Sequence, residues 1–232
     1  MTKKLIAVTG LFLISVTIHS QVLISILFGD KLNTDKLTFG LTLGNAWNSL
    51  TDYARVNARS NFNLGIFLTL KLKQRLFIQF DALAKYKSGA EGLPVYSLND
   101  HVLDSIYQYG SLQRSISCLA LNTTVQYRIW KFLNLELGPH VSLRLKTIDL
   151  LHADHENGKQ QFEIEVSDAT TRFDVGAMGG LSWQFDKGTG LKLGIRYHLG
   201  LVDMFPSDEG QNATRSFQIN VYIPIGKAKE SR

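Results

Sequence analysis

The stretch LNLELGPHVSLRLK, residues 133–146, decides the fold. Leu133, Leu135, Leu137, Pro139, Val141, Leu143 and Leu145 alternate with Asn134, Glu136, Gly138, His140, Ser142, Arg144 and Lys146. Successive side chains of an extended backbone point to opposite faces, so this alternation makes one apolar and one polar face. Wound as a helix, the same residues would scatter leucines around the whole circumference.

Seven other stretches share the period. They lie at about 37–45 (Leu37, Phe39, Leu41, Leu43), 61–73 (Phe62, Leu64, Ile66, Leu68, Leu70, Leu72) and 75–87 (Leu76, Ile78, Phe80, Ala82, Ala84, Tyr86). A fainter one at 115–128 carries Leu119, Leu121, Thr123, Val125 and Tyr127. The last three lie at 171–186, 190–203 and 214–225. Short connections at 73–75, 129–131 and 187–189 alternate with long ones at 46–60, 88–114, 148–169 and 204–213. An even number of strands with this rhythm predicts an all-β, eight-stranded, antiparallel up-and-down barrel, with both termini at the short-turn end. In an outer membrane this is the pattern of a transmembrane barrel whose long loops face outward.

Alternation leaves open which face is inside, and a soluble lipocalin-like barrel would turn the apolar face inward around a ligand. Three features favour lipid outside. Strand glycines fall mostly on the polar face (Gly40, Gly44, Gly65, Gly138, Gly176, Gly180, Gly194, Gly200), where a narrow interior needs small residues. That face carries too little charge for a soluble surface, above all in the first two strands. Aromatics (Phe77, Tyr127, Trp130, Phe132, Trp183, Phe185) gather beside the short turns, where an interfacial girdle belongs.

Composition fits one domain of 232 residues. Residues 1–20 read as a signal peptide: Lys3 and Lys4, an apolar run over 5–18, then His19-Ser20 before Gln21. Residues 21–36 form an N-terminal periplasmic segment, 37–226 the barrel and 227–232 a charged tail. The apolar residues 22–28 either close the periplasmic mouth as a plug or short helix or pack at the membrane surface. The net charge of +5 drops to about +3 without Lys3 and Lys4, too mild and dispersed to indicate nucleic acid. A single cysteine, Cys118, excludes an internal disulfide and falls on the inward parity as a small filler.

The polar face collects Lys71, Asp81, Lys85, Glu136, His140, Arg144, Lys146, Arg172, Asp174, Lys192, Arg196 and His198. Opposite charges in a narrow barrel read as a structural network, because buried charges must be paired; a polar pore is the alternative reading. His140 and Ser142 are neighbours in the inward row, but nothing marks an activated nucleophile, so no catalytic residue, cofactor or metal site is assigned and a lipid hydrolase is the remotest alternative. His152, Asp154, His155 and Glu156 read as a solvated loop, and Phe162, Ile164 and Val166 alternate with Glu163 and Glu165 as an extension of a hairpin above the membrane. Tyr96, Tyr107 and Tyr109 fit either loop packing or a contact patch, and the sequons at Asn122 and Asn212 read as chance.

Residues 21–33, QVLISILFGDKLN, followed by Leu37-Thr38-Phe39-Gly40-Leu41, resemble the mature N-terminus of PorT-family outer membrane β-barrel proteins of Bacteroidetes. The resemblance implies an outer-membrane location and insertion by the barrel assembly machinery, and it supplies no catalytic residues. Its tail beyond the last strand departs from the aromatic ending of many such barrels. The expected role is a monomeric structural or interaction scaffold, bathed in outer-membrane lipids and presenting four extracellular loops. An external partner is expected at 88–114 and 148–169.

Overall fold

A chain of alternating strands leaves an unpaired edge at each end of its sheet unless the sheet closes on itself. Here it closes. The computed structural model describes residues 33–51, 58–155, 158–185, 190–206 and 212–225; the signal segment, the apolar residues 22–28 and the charged tail lie outside them. The elements are β1 (Leu37–Leu50), β2 (Arg59–Lys71), β3 (Leu76–Leu93), α1 (His101–Tyr107), β4 (Ser111–Arg128), β5 (Leu133–His155), β6 (Gly158–Glu165), β7 (Phe173–Gln184), β8 (Lys192–Gly200) and β9 (Thr214–Pro224). Antiparallel ladders join β1 to β2, then β3, β4, β5, β7, β8 and β9 in turn. The ring shuts where β9 pairs with β1, from Gly40↔Pro224 to Leu50↔Thr214. Asn33 staples this seam at the short-turn end: its amide donates to the Ile225 carbonyl, and its Oδ1 accepts the Phe39 N–H at 2.7 Å.

The apolar face looks outward. Phe62, Ile66, Leu121, Leu137, Leu181 and Ile195 are all exposed, Leu137 to 67%. Such a belt far exceeds the apolar patches of soluble monomers, so the lipocalin-like arrangement does not hold. Tyr127, Trp130, Trp183 and Phe185 are exposed at the short-turn end, and Phe132 stacks on Trp183 with ring centroids 6.2 Å apart. Phe77 leaves the expected girdle: it lies on the inward parity and is buried under the Arg128 guanidinium, 4.6 Å from its ring centre.

β-Bulges set the interior. Each adds one residue to a strand and shifts every later side chain to the other face. On β3 the register moves from Leu83↔Ala120 to Tyr86↔Cys118, which turns Tyr86 inward and Lys85 outward over the Phe62 ring. Tyr86 was expected to face lipid and Lys85 the interior; both are reversed. On β5 the register moves from Cys118↔Arg144 to Ser117↔Lys146. Below this bulge the even residues face in; above it Thr147, Asp149, Leu151 and Ala153 do.

The segments expected as long loops at 88–114 and 148–169 are largely folded among the described residues. β5 has 23 residues, about twice what crosses a bilayer, and β6 pairs only with its upper half. That pairing is the hairpin extension anticipated from Phe162, Ile164 and Val166. Between β3 and β4, Asp100 caps α1 by accepting the Val102 N–H at 2.8 Å and the Leu103 N–H at 3.2 Å. Tyr107 of α1 packs near Phe162 of β6, ring centroids 6.2 Å apart. Inside the barrel at this end, Leu112, Ile116 and Leu151 meet Met204 and Phe205, which the β8–β9 connection folds inward. Arg114 and Asp149 form a buried bidentate pair, both bonds 2.7 Å, and the Arg114 guanidinium stacks on Phe205 at 4.1 Å. This end is therefore a folded head with an apolar core.

The bulge on β3 sets opposite expectations for neighbours. Tyr86→Ala should lower stability by about 3 kcal/mol, the scale of a buried aromatic truncation. Lys85→Ala should stay within about 0.5 kcal/mol, as an exposed change does. The urea midpoint of the gel-shifted folded band measures both. In the head, the Leu98 N–H (2.6 Å) and the Ser97 hydroxyl (2.7 Å) donate to Asp104 and hold its carboxyl below the usual carboxylate range. A depressed carboxylate stabilises above its unfolded pKa and loses that contribution as pH falls through its folded one. Amide protection factors over residues 97–104, with the intrinsic pH dependence of exchange divided out, should therefore fall in acid, and Asp104→Asn should show the lower protection at neutral pH.

Candidate functional site

The inward rows of six strands meet in the half of the barrel nearer the short turns. Gln79 and Asp81 come from β3, Gln126 from β4, Glu136 from β5, Lys192 and Arg196 from β8, Tyr222 from β9 and Phe67 from β2. Arg196 Nε donates to Glu136 Oε2 at 2.6 Å, and its Nη1 donates to Asp81 Oδ2. Lys192 Nζ stands 3.7 Å from Glu136 Oε1 and donates to Gln79 and to Gln126 Oε1, the latter at 3.3 Å. Gln79 Nε2 donates to Asp81 Oδ1 at 2.6 Å, and Gln126 Nε2 to Gln79 Oε1 at 2.9 Å. The Tyr222 ring supports both cations, 4.6 Å from Lys192 Nζ and 5.2 Å from Arg196 Cζ, and meets Phe67 edge-on. Two acids and two bases thus form a neutral, hydrogen-bonded floor, which is what a buried charge needs.

Small residues let the wall carry these long side chains. A Cβ at Gly180 would overlap the Ile195 carbonyl and the Arg196 Cα, so glycine is required where β7 passes behind Arg196.

Above the floor lies a second group. His140 of β5, Asp174 of β7 and His198 of β8 are buried together, the two imidazole centroids 4.1 Å apart. Asn122 on β4 and Tyr86 on β3 flank His140.

Of the charged residues read as inward, Asp81, Glu136, His140, Asp174, Lys192, Arg196 and His198 are buried inside. Arg144 is half-buried directly below the β5 bulge. Four others lie outside. Lys71 is exposed where β2 ends, Lys85 is turned out by the β3 bulge, and Arg172 is exposed because β7 begins only at Phe173. Lys146, beyond the β5 bulge, forms an exposed pair with Glu165 at 3.4 Å. Collecting only charged residues missed Gln79, Gln126, Tyr222 and Asn122, although all four share the inward parity of their strands. Arg114 and Asp149 were missed because their segments read as loops.

Ser142 is buried opposite Asp174 in the β5–β7 ladder, on the interior side of the wall and away from the lipid-facing surface where an acyl substrate would lie. On that outer surface, small Ala82 and Ala84 between Ile66, Leu119, Leu121 and Val141 leave an apolar depression of about 500 Å³, suited to hydrocarbon.

A family model described as outer membrane protein beta-barrel domain matches residues 29–206. No curated protein matches the chain. Among solved structures it is similar to Ail, the attachment invasion locus protein of Yersinia pestis (9% identity, TM-score 0.44, covering 82% of this chain and 98% of that one). It is also similar to Neisserial surface protein A (11% identity, TM-score 0.42, 81% and 96%). A third similar structure is the outer membrane protein OprG from Pseudomonas aeruginosa (14% identity, TM-score 0.38, 82% and 93%). The matched residues run from before β1 to beyond β8 and take in most of the chain, so the assignment rests on the family model: this chain belongs to the outer membrane protein beta-barrel domain family and is an outer-membrane barrel.

Proposed function

We propose that this protein is a closed, non-conducting scaffold that holds a folded head at the outer surface of the membrane. The observation that carries this reading is the filling of the interior on two levels. The Asp81–Arg196–Glu136–Lys192 floor spans the barrel, and the apolar packing of Leu112, Ile116, Leu151, Met204 and Phe205 caps it. An ion on the axis would have to strip its water against the cap and break the charge pairs of the floor. The head is the part available to a partner, because α1 and β6 meet through Tyr107 and Phe162 over the apolar core of this end. In this reading the short turns and Asn33 face the periplasm, in keeping with the turn-length asymmetry of such barrels. Outer-membrane lipids cover the belt, the barrel assembly machinery inserts a monomer after signal-peptide export, and an external partner meets residues 88–114 and 148–169. The likeness of residues 21–33 and 37–41 supports a PorT-type member from Bacteroidetes within the family. No step of the role calls for catalysis.

Planar bilayers test the closed interior. The folded protein should insert without unitary current steps; stable steps whose ion selectivity changes in Arg196→Ala would replace the scaffold by a narrow pore. Arg196→Ala also leaves Asp81 buried without its cation and Glu136 with Lys192 alone, and should lower stability by about 3–5 kcal/mol, the cost of breaking a buried pair from one side. The shift in urea midpoint reads this directly.

A further inference from the structure

We propose that His140, Asp174 and His198 form a binding site for a divalent transition-metal ion of the zinc type, set in the wall between the charged floor and the apolar cap. Each residue comes from a different strand, and the three donor atoms lie within 4.8 Å of one another with all three residues buried. Nitrogen and oxygen ligands about 2.0–2.1 Å from a tetrahedral ion stand roughly 3.3 Å apart, so small side-chain rotations close the set.

Unpaired polar atoms point to an ion. Nε2 of His140, both ring nitrogens of His198 and Oδ1 of Asp174 are buried without a hydrogen-bond partner among the described residues. Unpaired buried atoms also occur elsewhere, at Asn63, Gln218 and Tyr222 for example, but here three ring nitrogens and a carboxylate oxygen gather in one cluster, and a buried carboxylate is paired or bound to metal. The floor cannot serve Asp174, because Arg196 and Lys192 are engaged with Asp81 and Glu136. The Arg215 guanidinium acts on Asp174 through space only, with no hydrogen bond or ion pair between them among the described residues, and its Nη1 donates to the carbonyls of Gly200 and Thr214.

The surroundings orient the ligands as metal sites do. His140 Nδ1 lies 2.6 Å from Asn122 Oδ1; that oxygen only accepts, so Nδ1 carries the proton and Nε2 presents its lone pair. Thr214 Oγ1 donates to Asp174 Oδ2 at 2.6 Å, leaving Oδ1 for the ion. Carbonyl and hydroxyl partners of this kind fix tautomer and direction in metalloproteins. Gly176 lies against this group, where a Cβ would meet the Leu199 carbonyl and His198 Nε2. Two imidazoles and one carboxylate suit zinc, copper or nickel rather than calcium or magnesium, which take oxygen ligands. The ion would tie β5, β7 and β8 together from inside, whether or not the barrel conducts.

The test uses the full chain refolded into detergent with ZnCl₂ and, separately, CoCl₂, with excess metal removed and folding checked by heat-shifted migration. Metal per chain is counted by mass spectrometry, and cobalt coordination is read by visible absorption. The folded wild type should retain about one zinc per chain and show the absorption of low-coordinate cobalt bound by nitrogen and oxygen. His198→Gln and Asp174→Asn should each retain at least about tenfold less, with His101→Gln, in the head, matching wild type. Folded wild type that holds neither zinc nor cobalt overturns the site, as does folded His198→Gln that retains as much as wild type. Should the interior variants not fold, the cobalt spectrum of wild type decides alone.

Discussion

Ring closure through β1 and β9 is the constraint on which the rest depends. In hydrocarbon every backbone N–H and C=O must find its partner within the protein, and the ladder from Gly40↔Pro224 to Leu50↔Thr214 closes the eight-stranded ring, leaving only β6 of the head as an edge strand among the described residues. Closing only eight strands fixes a narrow bore that must be filled by side chains. Filling it with polar residues, as the outward apolar belt requires, forces those residues to satisfy one another. Arg196 bridging Glu136 and Asp81, with Lys192 beside them, follows from closure in that sense.

The bulges explain how one chain serves two environments. Between the short turns and the bulges, the wall separates lipid from a polar interior. Beyond them, parity shifts on β3 and β5 bring Tyr86, Leu151 and Ala153 inside, and that end of the barrel packs like the core of a soluble domain. β6, α1 and the inward fold of Met204 and Phe205 then have an apolar surface to rest on. The head is thus a continuation of the strands that cross the membrane, and its rigidity comes from theirs.

The His140–Asp174–His198 group sits at the join between these regions, where β5 is about to bulge and β7 has just entered the wall. Strand pairing weakens in such places, and a ligand bridging β5, β7 and β8 would reinforce the wall there. The floor and this group are chemically distinct: the floor pairs its acids with Arg196 and Lys192, whereas three ring nitrogens and a carboxylate oxygen of the second group have no cation or hydrogen-bond donor against them among the described residues.

Alternation and turn length by themselves determined the eight-stranded ring and its up-and-down order, because both are local properties of the chain; the inward glycines, the sparse charge of the polar face and the aromatics beside the short turns turned the apolar face outward. It also placed Asp81, Glu136, Lys192 and Arg196 on the interior side, since no bulge separates them from the regular part of their strands. Tertiary structure alone decided the rest. One extra residue in a ladder, invisible in a pattern of residue types, reversed Lys85 and Tyr86 and turned Lys146 outward. Phe77 was placed in the girdle by its distance from a turn, although its parity with Gln79 and Asp81 sends it inward. Arg114–Asp149 and the histidine–aspartate group depend on registers between strands far apart in sequence, which arise only when closure, shear and bulges are solved together.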